Sequence, residues 1–504
     1  MKKAIFSVFL LVCLISSPYA SYAAEREGYA GRGKEYAAAS EDVVDLLVEM
    51  LVGNGTLTQE QGQKLAQRAK RLEAEMVSAK QKEAEERKRA SVEQWREQEI
   101  PMQTSWKDGI RFESRNGDFK TKIGGRIFSD LLNTYSHGDL PDSIRPLGDF
   151  NNRNDEAYMR SVRLNIEGTM YEDYFYNFEY EFNGDINTKT EVDGLRDMYI
   201  GMKNIPFIGS VSVGHMKEPF SLEESTSHSN TIFLERSLAN VFAPGFSWGV
   251  GIHNAVLDDR VTFAGGIFLN SDNSGTTSYG DAWNLTARVT GLPWYGGKDK
   301  LLHIGTSYSL RNPKEGGFVT ADHTIRFRQR PDMYTRDYIV DTGTFDINKE
   351  NRLGLESAFV YGPFSLQGEF IGTWLEPYDT AQDSTGFLYG GYGALSYIIT
   401  GEHRIYDKND GRFKGVIPDK NFSLKNFSLK DRSWGAWEIT ARWSYLSLED
   451  KDMDIQGGKA FATTVGLNWY LNPNMRIMLN WVHSELEDTN GAIDGIQVRV
   501  QVTF

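Results

Sequence analysis

The most constraining feature of this sequence is a two-residue alternation of apolar and polar side chains, which begins near Gly109 and continues to the last residue. Strict alternation gives an extended strand two faces that lie in different surroundings. The last strand is the clearest case. Its apolar face contains Ile496, Val498, Val500, Val502 and Phe504, and its polar face contains Gln497, Arg499, Gln501 and Thr503.

A soluble β-sandwich and a membrane β-barrel both produce such alternation, because the apolar face meets a second sheet in one and lipid in the other. Three observations favour the barrel. Aromatic residues occur near strand ends, short connections alternate with long ones, and the chain ends on a strand whose final residue is the aromatic Phe504, with no trailing tail. We count about sixteen strands of roughly ten residues, as a tilted membrane strand requires. The connection 400–433 alone is long where a short turn is expected.

The prediction is therefore an all-β fold, a sixteen-stranded antiparallel transmembrane β-barrel with an N-terminal helical, coiled-coil segment. A closed sheet is required because an open edge would leave backbone N–H and C=O groups without partners in lipid. Sixteen strands enclose an aqueous channel rather than a packed core. We expect three regions: a signal peptide at 1–23, a periplasmic helical segment and linker at 24–106, and the barrel at 107–504.

The first residues have the pattern of an export signal. Lys2 and Lys3 precede an apolar run, and cleavage after Ala23 is expected. The sole cysteine, Cys13, lies inside this segment, so the mature chain is expected to have neither disulfides nor thiolate metal sites. Removal of the two lysines changes the formal net charge from −14 to −16, which argues against a nucleic-acid partner.

Residues 40–100 have the pattern of helices. Thr58 and Gln61 form a capping-box pattern at the start of the longest one. A short heptad seam follows, which indicates self-association. The alternative is a lone solvated helix that acts as a spacer. The seam contains Leu65, Ala69, Leu72, Met76 and Ala79.

Alternation also predicts which charged side chains face the lumen. Seven arginines and six glutamates do so, which makes a lumen of mixed charge: Arg126, Arg163, Arg288, Arg352, Arg442, Arg476 and Arg499, with Glu167, Glu179, Glu181, Glu356, Glu369 and Glu438. Guanidinium groups suit phosphate and carboxylate because they donate two parallel hydrogen bonds. In an extended chain, Arg326, Arg328 and Arg330 would share one face.

Several motifs together resemble the phosphate-selective porin O and P family, from about Ile123 to Phe504. They are GGRIFSD at 124–130, KEPFSLEE at 217–224, LERSLANVFAPG at 234–245, RPD at 330–332, DTG at 341–343, GPFSLQGEF at 362–370, WGAWEITARWSYL at 434–446 and GLNWYLNPNMRIMLNWV at 466–482. The resemblance implies a trimer of sixteen-stranded barrels in the bacterial outer membrane. It also implies that the long loop at about 218–247 folds into the lumen and narrows it.

By the same resemblance, a ladder of arginines contacts anions in the pore: Arg126, Arg160, Arg163, Arg326, Arg328 and Arg352. Arg160 is out of phase with Arg163, so it requires a bulge or a position above the lipid. The alternative is that these arginines only pair with wall carboxylates and hold the pore open. Where phosphate-binding family members have a doubled arginine, this chain has Arg160-Ser161.

The constricting loop is expected to present both signs of charge. Lys217 and Arg236 stand against Glu218, Glu223, Glu224 and Glu235, and these acids are expected to repel dianions. We therefore predict passive diffusion of small hydrophilic solutes, with at most a weak preference for anions such as phosphate.

No catalytic constellation is present in the sequence. Its eight histidines are scattered, with no His-Glu-x-x-His motif, no phosphate-binding loop and no nucleophile elbow, so no enzyme activity, cofactor or metal is expected. Asp450, Asp452 and Asp454 could bind calcium weakly, although a hydrated loop tip is the simpler interpretation.

Three other functions stay open: a structural anchor that ties the membrane to a periplasmic partner through the N-terminal helices, an outer-membrane enzyme, and a soluble carbohydrate binder.

Overall fold

The structure is a computed structural model. It describes residues 58–97, 101–138, 153–185, 194–269, 282–313, 323–378, 384–425, 433–489 and 491–504, together with residues 49, 52, 53 and 55. The expected signal peptide at 1–23 lies outside the described residues. The chain divides into two units, Met1–Ile100 and Pro101–Phe504.

In the first unit, helix α1 spans Gln59–Glu97 and has 39 residues, which corresponds to roughly 58 Å at 1.5 Å per residue. The capping box is present. The Thr58 backbone N–H donates to Gln61 Oε1 at 3.0 Å, and the Gln61 N–H donates to Thr58 Oγ1 at 3.3 Å. Of the helices that the structure describes, none has both the length and the apolar character needed to span a bilayer.

The second unit is built on sixteen long strands, as the alternation predicts. In chain order they are β1 Phe119–His137, β2 Arg153–Met170, β3 Tyr174–Glu181, β4 Gly194–Ile205, β5 Gly209–Lys217, β6 Phe246–Val256, β7 Val261–Leu269, β8 Trp283–Gly297, β9 Lys300–Asn312, β10 Phe345–Tyr361, β11 Phe364–Pro377, β12 Gly386–Ile398, β13 Ala436–Asp450, β14 Ile455–Asn472, β15 Met475–Leu486 and β16 Ala492–Thr503.

Each strand pairs antiparallel with its neighbours in sequence, and β16 pairs antiparallel with β1, where Val498 lies opposite Leu131 and Thr503 opposite Arg126. The sheet is therefore a closed sixteen-stranded barrel. Closure gives every strand a partner on both edges, which a bilayer demands. The all-β prediction is confirmed.

The two faces of the wall differ as expected. Leu131 and Ile200 point outward and are 57% and 68% exposed, whereas Asp130, Gln497 and Arg499 point inward and are fully buried. An exposed aliphatic surface around a closed barrel suits hydrocarbon. The inward polar side chains are buried because long connections fold into the lumen and cover part of the wall.

The connection between β12 and β13, which is long where a short turn is expected, is one of these connections that fold into the lumen. It contains two short paired strands, Tyr406–Asp407 and Arg412–Phe413. Since the short turns mark the periplasmic end of such barrels, this segment enters the lumen from the periplasmic side. We call its described part, residues 399–425, the periplasmic loop.

One feature departs from the expected boundary at residue 107. Met102–Trp106 and Ile110–Ser114 form an antiparallel hairpin, and its second strand pairs with residues 120–123 of β1. The β structure therefore begins at Met102, inside the region expected to be helix and linker. The hairpin is not one of the sixteen barrel strands.

Candidate permeation pathway

The segment 218–245, which we call the constriction loop, leaves β5 and crosses the lumen to the opposite wall. It contains a short helix at Leu222–Ser225 and two 3₁₀ turns, His228–Asn230 and Leu238–Phe242. The backbone N–H groups of Leu222 and Glu223 donate to the carboxylate of Glu369 on β11, at 2.9 and 2.6 Å. The loop therefore lies inside the barrel, as the resemblance implies.

Three wall arginines hold the far side of this loop by its backbone carbonyls. Arg442 on β13 donates to the Glu235 carbonyl at 3.0 Å, and Arg499 on β16 donates to the Leu234 carbonyl at 2.7 Å. Arg476 on β15 donates to the carbonyls of Thr231 and Ser229 at 2.8 and 3.1 Å. Charged donors to carbonyls make strong hydrogen bonds at buried sites, so these guanidiniums anchor the loop.

The loop glutamates are all paired with cations, a pairing that the sequence-based expectation of dianion repulsion does not include. Glu218 accepts from Arg311 at 2.9 Å and also from two wall hydroxyls. Glu223 lies 3.1 Å from Arg442. A carboxylate that accepts hydrogen bonds from a guanidinium presents little free charge to a passing anion.

Glu224 sits between two cations. Its Oε1 lies 2.8 Å from Lys217 Nζ and its Oε2 lies 3.2 Å from Arg236 Nη1. One carboxylate between two cations leaves a net positive charge on this part of the loop. The side chains of Lys217 and Arg236 keep partial exposure, 23% and 20%, so this charge is accessible from the lumen.

Glu235 also accepts from two guanidiniums. Arg160 donates to both of its carboxylate oxygens, at 2.9 and 3.0 Å, and Arg499 Nη2 lies 2.7 Å from Oε1. Burial raises the pKa of Glu235, but the two arginines outweigh burial and lower its pKa to about 2. Glu235 is thus an ionised carboxylate at neutral pH.

Arg160 reaches the loop because β2 has a bulge at this position. The pairing steps from Phe128–Ser161 to Ser129–Met159, which leaves Arg160 without a partner on β1. A bulge turns a side chain to the other face of the strand. The phase argument from the sequence is therefore confirmed, since Arg160 and Arg163 both point inward.

Two other ladder arginines form a compact network on the wall. Arg163 donates to Glu181 at 2.9 Å and also to Glu179, while Arg126 donates to Ser161 at 2.8 Å and lies 3.8 Å from Glu181. Two cations and two carboxylates balance here. The side chains of Arg163 and Glu179 remain partly exposed, which places this network along a water-accessible side of the lumen.

Arg352 is buried against the constriction loop on the other side. It forms a bidentate ion pair with Glu350, at 2.5 and 2.9 Å, and donates to the Phe242 carbonyl at 2.6 Å. Both partners hold it away from the solvent. Arg352 therefore stabilises the loop and does not offer a free charge.

The arginines of the RFRQRP run lie in the connection between β9 and β10, where Arg328–Gln329 pairs with Val340–Asp341. Arg326 Nε donates to Asp341 at 2.7 Å, and Arg330 binds both carboxylate oxygens of Asp185 at 3.0 Å. Arg328 is exposed and lies over the ring of Tyr338 at 4.2 Å. Among the described residues, no carboxylate lies within 4 Å of it.

Two tyrosines that the sequence did not single out join these arginines into a stack. The guanidinium of Arg160 lies 4.0 Å from the ring centroid of Tyr334. The guanidinium of Arg330 lies 4.7 Å from the Tyr334 centroid and 4.6 Å from the Tyr338 centroid. Arg328 also contacts the Tyr338 ring. Cation–π contacts of this kind hold guanidinium groups in place. No periodicity in the sequence signals these tyrosines.

Two aspartates were also missed. Asp130 forms a bidentate ion pair with Arg499 at 2.8 Å, and Asp332 lies 2.7 Å from Arg442. Asp130 follows Arg126 by four residues on a regular strand, so alternation alone could have placed it in the lumen. Asp332 lies in a loop and carries no such signal.

The periplasmic loop meets both the wall and the constriction loop. Arg412 donates to the Ser225 carbonyl at 3.3 Å, and Arg288 on β8 donates to the Gly411 carbonyl at 2.8 Å. The Tyr406 hydroxyl lies 2.6 Å from His303 Nδ1. The lumen is thus narrowed from both ends of the barrel.

One of the three aspartates considered as a weak calcium site accepts hydrogen bonds from the backbone. Asp450 accepts hydrogen bonds from the backbone N–H groups of Phe387 and Met453, at 2.8 and 2.9 Å, and so closes the connection after β13. Within the described parts of the chain, no group of three or more His, Cys, Asp or Glu residues could hold a metal ion.

Comparison with known proteins gives the family. A family model described as "Phosphate-selective porin O and P" matches residues 137–504. Porin O of Pseudomonas aeruginosa is 26% identical over 435 residues, which cover 79% of this chain and 91% of that protein. An uncharacterized protein of Caulobacter vibrioides is 28% identical over 390 residues, which cover 76% of this chain and 71% of that protein.

Among solved structures, the anion-selective porin from Comamonas acidovorans aligns over 77% of this chain and 100% of its own, with 11% identity and a TM-score of 0.47. The matched family region contains fifteen of the sixteen barrel strands and the end of the remaining one, together with the constriction loop and the periplasmic loop. The chain belongs to the phosphate-selective porin O and P family and is a channel of the bacterial outer membrane.

Proposed function

We propose that this porin passes small hydrophilic solutes with a weak preference for anions, phosphate among them. The observation that carries the proposal is the pairing of the ladder arginines. Five of the six, Arg126, Arg160, Arg163, Arg326 and Arg352, have a carboxylate within 4 Å. Fixed charges set the ion preference of a pore, and paired charges largely cancel.

Two places supply the remaining positive charge. One is Arg328 in the outer connection, and the other is the group formed by Lys217, Arg236 and Glu224 in the constriction loop, with two cations to one carboxylate. A weak excess of positive charge at two points along the path favours anions without excluding cations. The family's description as phosphate-selective agrees with an anionic solute.

The test is the reversal potential of the purified protein in a planar bilayer under a salt gradient. Arg328→Gln should shift the reversal potential toward cations. The matched control is the double variant Arg326→Gln with Asp341→Asn, which removes a neighbouring ion pair without a change of net charge and should leave the potential unchanged. Clear cation selectivity in the unmodified channel would contradict the proposal.

We further propose that helix α1 is an assembly device for a homotrimer. Its 39 residues form one continuous helix, and the heptad seam of Leu65, Ala69, Leu72, Met76 and Ala79 gives it an apolar stripe for self-association. Deletion of residues 25–100 distinguishes a role in trimer assembly from a role in tying the membrane to a periplasmic partner. Loss of trimers on native gels supports assembly, whereas intact trimers in a leaky envelope support a periplasmic partner.

The proposal assigns no reaction and no cofactor to the chain. Ion pairs hold loops in the lumen, and the four glutamates of the constriction loop are engaged in such pairs. The experiment that bears on this is the same bilayer recording, since a passive channel conducts in salt alone, without added substrate or metal.

A further inference from the structure

The hairpin Met102–Trp106/Ile110–Ser114 lies outside the matched family region and continues the barrel seam. Ile110 lies opposite Ile123 of β1. Two residues further along the same edge, Gly125 exchanges both backbone hydrogen bonds with Phe504, at 2.9 and 2.6 Å. The hairpin and the last strand therefore follow each other end to end along one edge of β1.

Register fixes the direction of the hairpin. Because β1 runs from the periplasmic end outward, the turn at residues 107–109 is the part nearest the membrane, and Met102 is furthest from it. Gly109 allows this close fit. Its φ is +129°, and a Cβ there would lie 2.6 Å from the Ile123 carbonyl oxygen, so another residue would push the turn away from β1.

The two faces of the hairpin differ in character. Trp106 lies opposite Ile110 and Thr104 opposite Phe112, and directly paired residues share a face. This face is continuous with Ile123 and Ile127 on the outer surface of β1, since Ile110 lies opposite Ile123. Trp106 and Met102 are 60% and 46% exposed.

The other face is polar. It contains Gln103 and Ser105 of the first strand and Arg111 and Glu113 of the second, where Glu113 forms an ion pair with Lys120 at 2.9 Å. The hairpin is thus an amphipathic flap whose apolar side extends the lipid-facing wall. Tryptophan prefers the boundary between hydrocarbon and headgroups.

We propose that the apolar face of this hairpin, formed by Met102, Trp106, Ile110 and Phe112, binds the headgroup region of the periplasmic leaflet of the outer membrane. The occupant is phospholipid because the face is continuous with the lipid-facing surface of β1 and lies beside its periplasmic end. The pairing Trp106–Ile110, next to the turn, makes the deepest contact.

The test places a fluorescent label on each face. The mature chain is expected to lack cysteine, so Trp106→Cys and Gln103→Cys each give a single labelling site on opposite faces of one strand. Both full-length variants are labelled with bimane and placed in nanodiscs of phosphatidylethanolamine and phosphatidylglycerol that contain nitroxide-labelled acyl chains. Nanodiscs leave both membrane faces open to solution.

We expect the nitroxide lipid to quench bimane fluorescence several-fold more strongly at position 106 than at position 103. Iodide in solution should quench the label more strongly at position 103 than at position 106. Equal nitroxide quenching at both sites, or strong iodide quenching at 106, would overturn the proposal. Protection of 106 from both quenchers would also overturn it, because a protein would then cover the face. Ile110→Cys, on the same face, replaces Trp106→Cys if that variant fails to conduct in bilayers.

Discussion

Arg499 Nη2 on the last strand lies 2.7 Å from Glu235 Oε1 in the constriction loop, although 264 residues separate them in sequence. The same guanidinium binds Asp130 on β1. One arginine at the seam of the barrel therefore links the first strand, the last strand and the loop that narrows the pore.

This arrangement predicts an acid-sensitive conductance. The pKa of Glu235 is lowered from 4.5 to about 2 in the folded channel, so its ionised form stabilises the loop above about pH 4.5, and this stabilisation is lost as the pH falls through about 2. The part of the single-channel conductance that depends on Glu235 should be constant above about pH 4.5, and it should become noisier and larger as the pH falls from there towards about 2. Glu235→Gln should have the noisy conductance at neutral pH, and a variant whose conductance at neutral pH equals that of the unmodified channel would contradict the assignment.

Removal of a buried anchor should destabilise the barrel. Arg442→Met leaves the carboxylates of Asp332 and Glu223 without their guanidinium, and breaking a buried ion pair in this way costs about 3–5 kcal/mol. Urea unfolding, followed by tryptophan fluorescence, measures the loss. Arg326→Gln is the control, because its pair with Asp341 is largely exposed and should contribute only about 0–1 kcal/mol. Similar losses in both variants would argue against the anchoring role.

The shared carboxylate of Glu224 should tune selectivity. Glu224→Gln removes the carboxylate that forms ion pairs with both Lys217 and Arg236, so the reversal potential should shift toward anions. Lys217→Gln should shift it the opposite way. Shifts of the same sign in the two variants would mean that structural change, rather than local charge, dominates.

The periplasmic loop should also limit the conductance. At Gly411, where φ is +62°, a Cβ would lie 2.7 Å from Thr290 Oγ1, so Gly411→Ala should push the loop off β8, weaken the Arg288 hydrogen bond and raise the conductance. Gly401 has a positive φ of +105° with nothing within 4 Å of a Cβ. Gly401→Ala therefore carries the backbone strain without the contact and should keep the normal conductance.

The wall of this channel could be predicted from the sequence because lipid on one side and water on the other impose a period of two on every strand. The same reasoning predicts that Arg160 requires either a bulge or a position above the lipid, and the bulge is present. The reasoning failed where contacts depend on loops. The pairing of Asp332 with Arg442 and the placement of Tyr334 between Arg160 and Arg330 follow from chain folding inside the lumen, which no local pattern records. The ion pairs of the acids in the constriction loop depend on the same folding.

The hairpin before β1 was missed for a different reason. Its strands are short, and Met102–Trp106 is exposed along its whole length, so the alternation there is weak and adjoins a long helical pattern. Only its register against β1 reveals that it belongs to the sheet.

The constriction loop has a mechanical consequence. It leaves β5, and four of its hydrogen-bonding partners, Glu369, Arg442, Arg476 and Arg499, lie on strands of the far wall. The loop thus connects opposite sides of the barrel, so that it resists flattening of the barrel under lateral pressure from the bilayer. Pore width and wall rigidity depend on the same side chains, so a variant that widens the passage by freeing the loop should also make the cylinder easier to flatten.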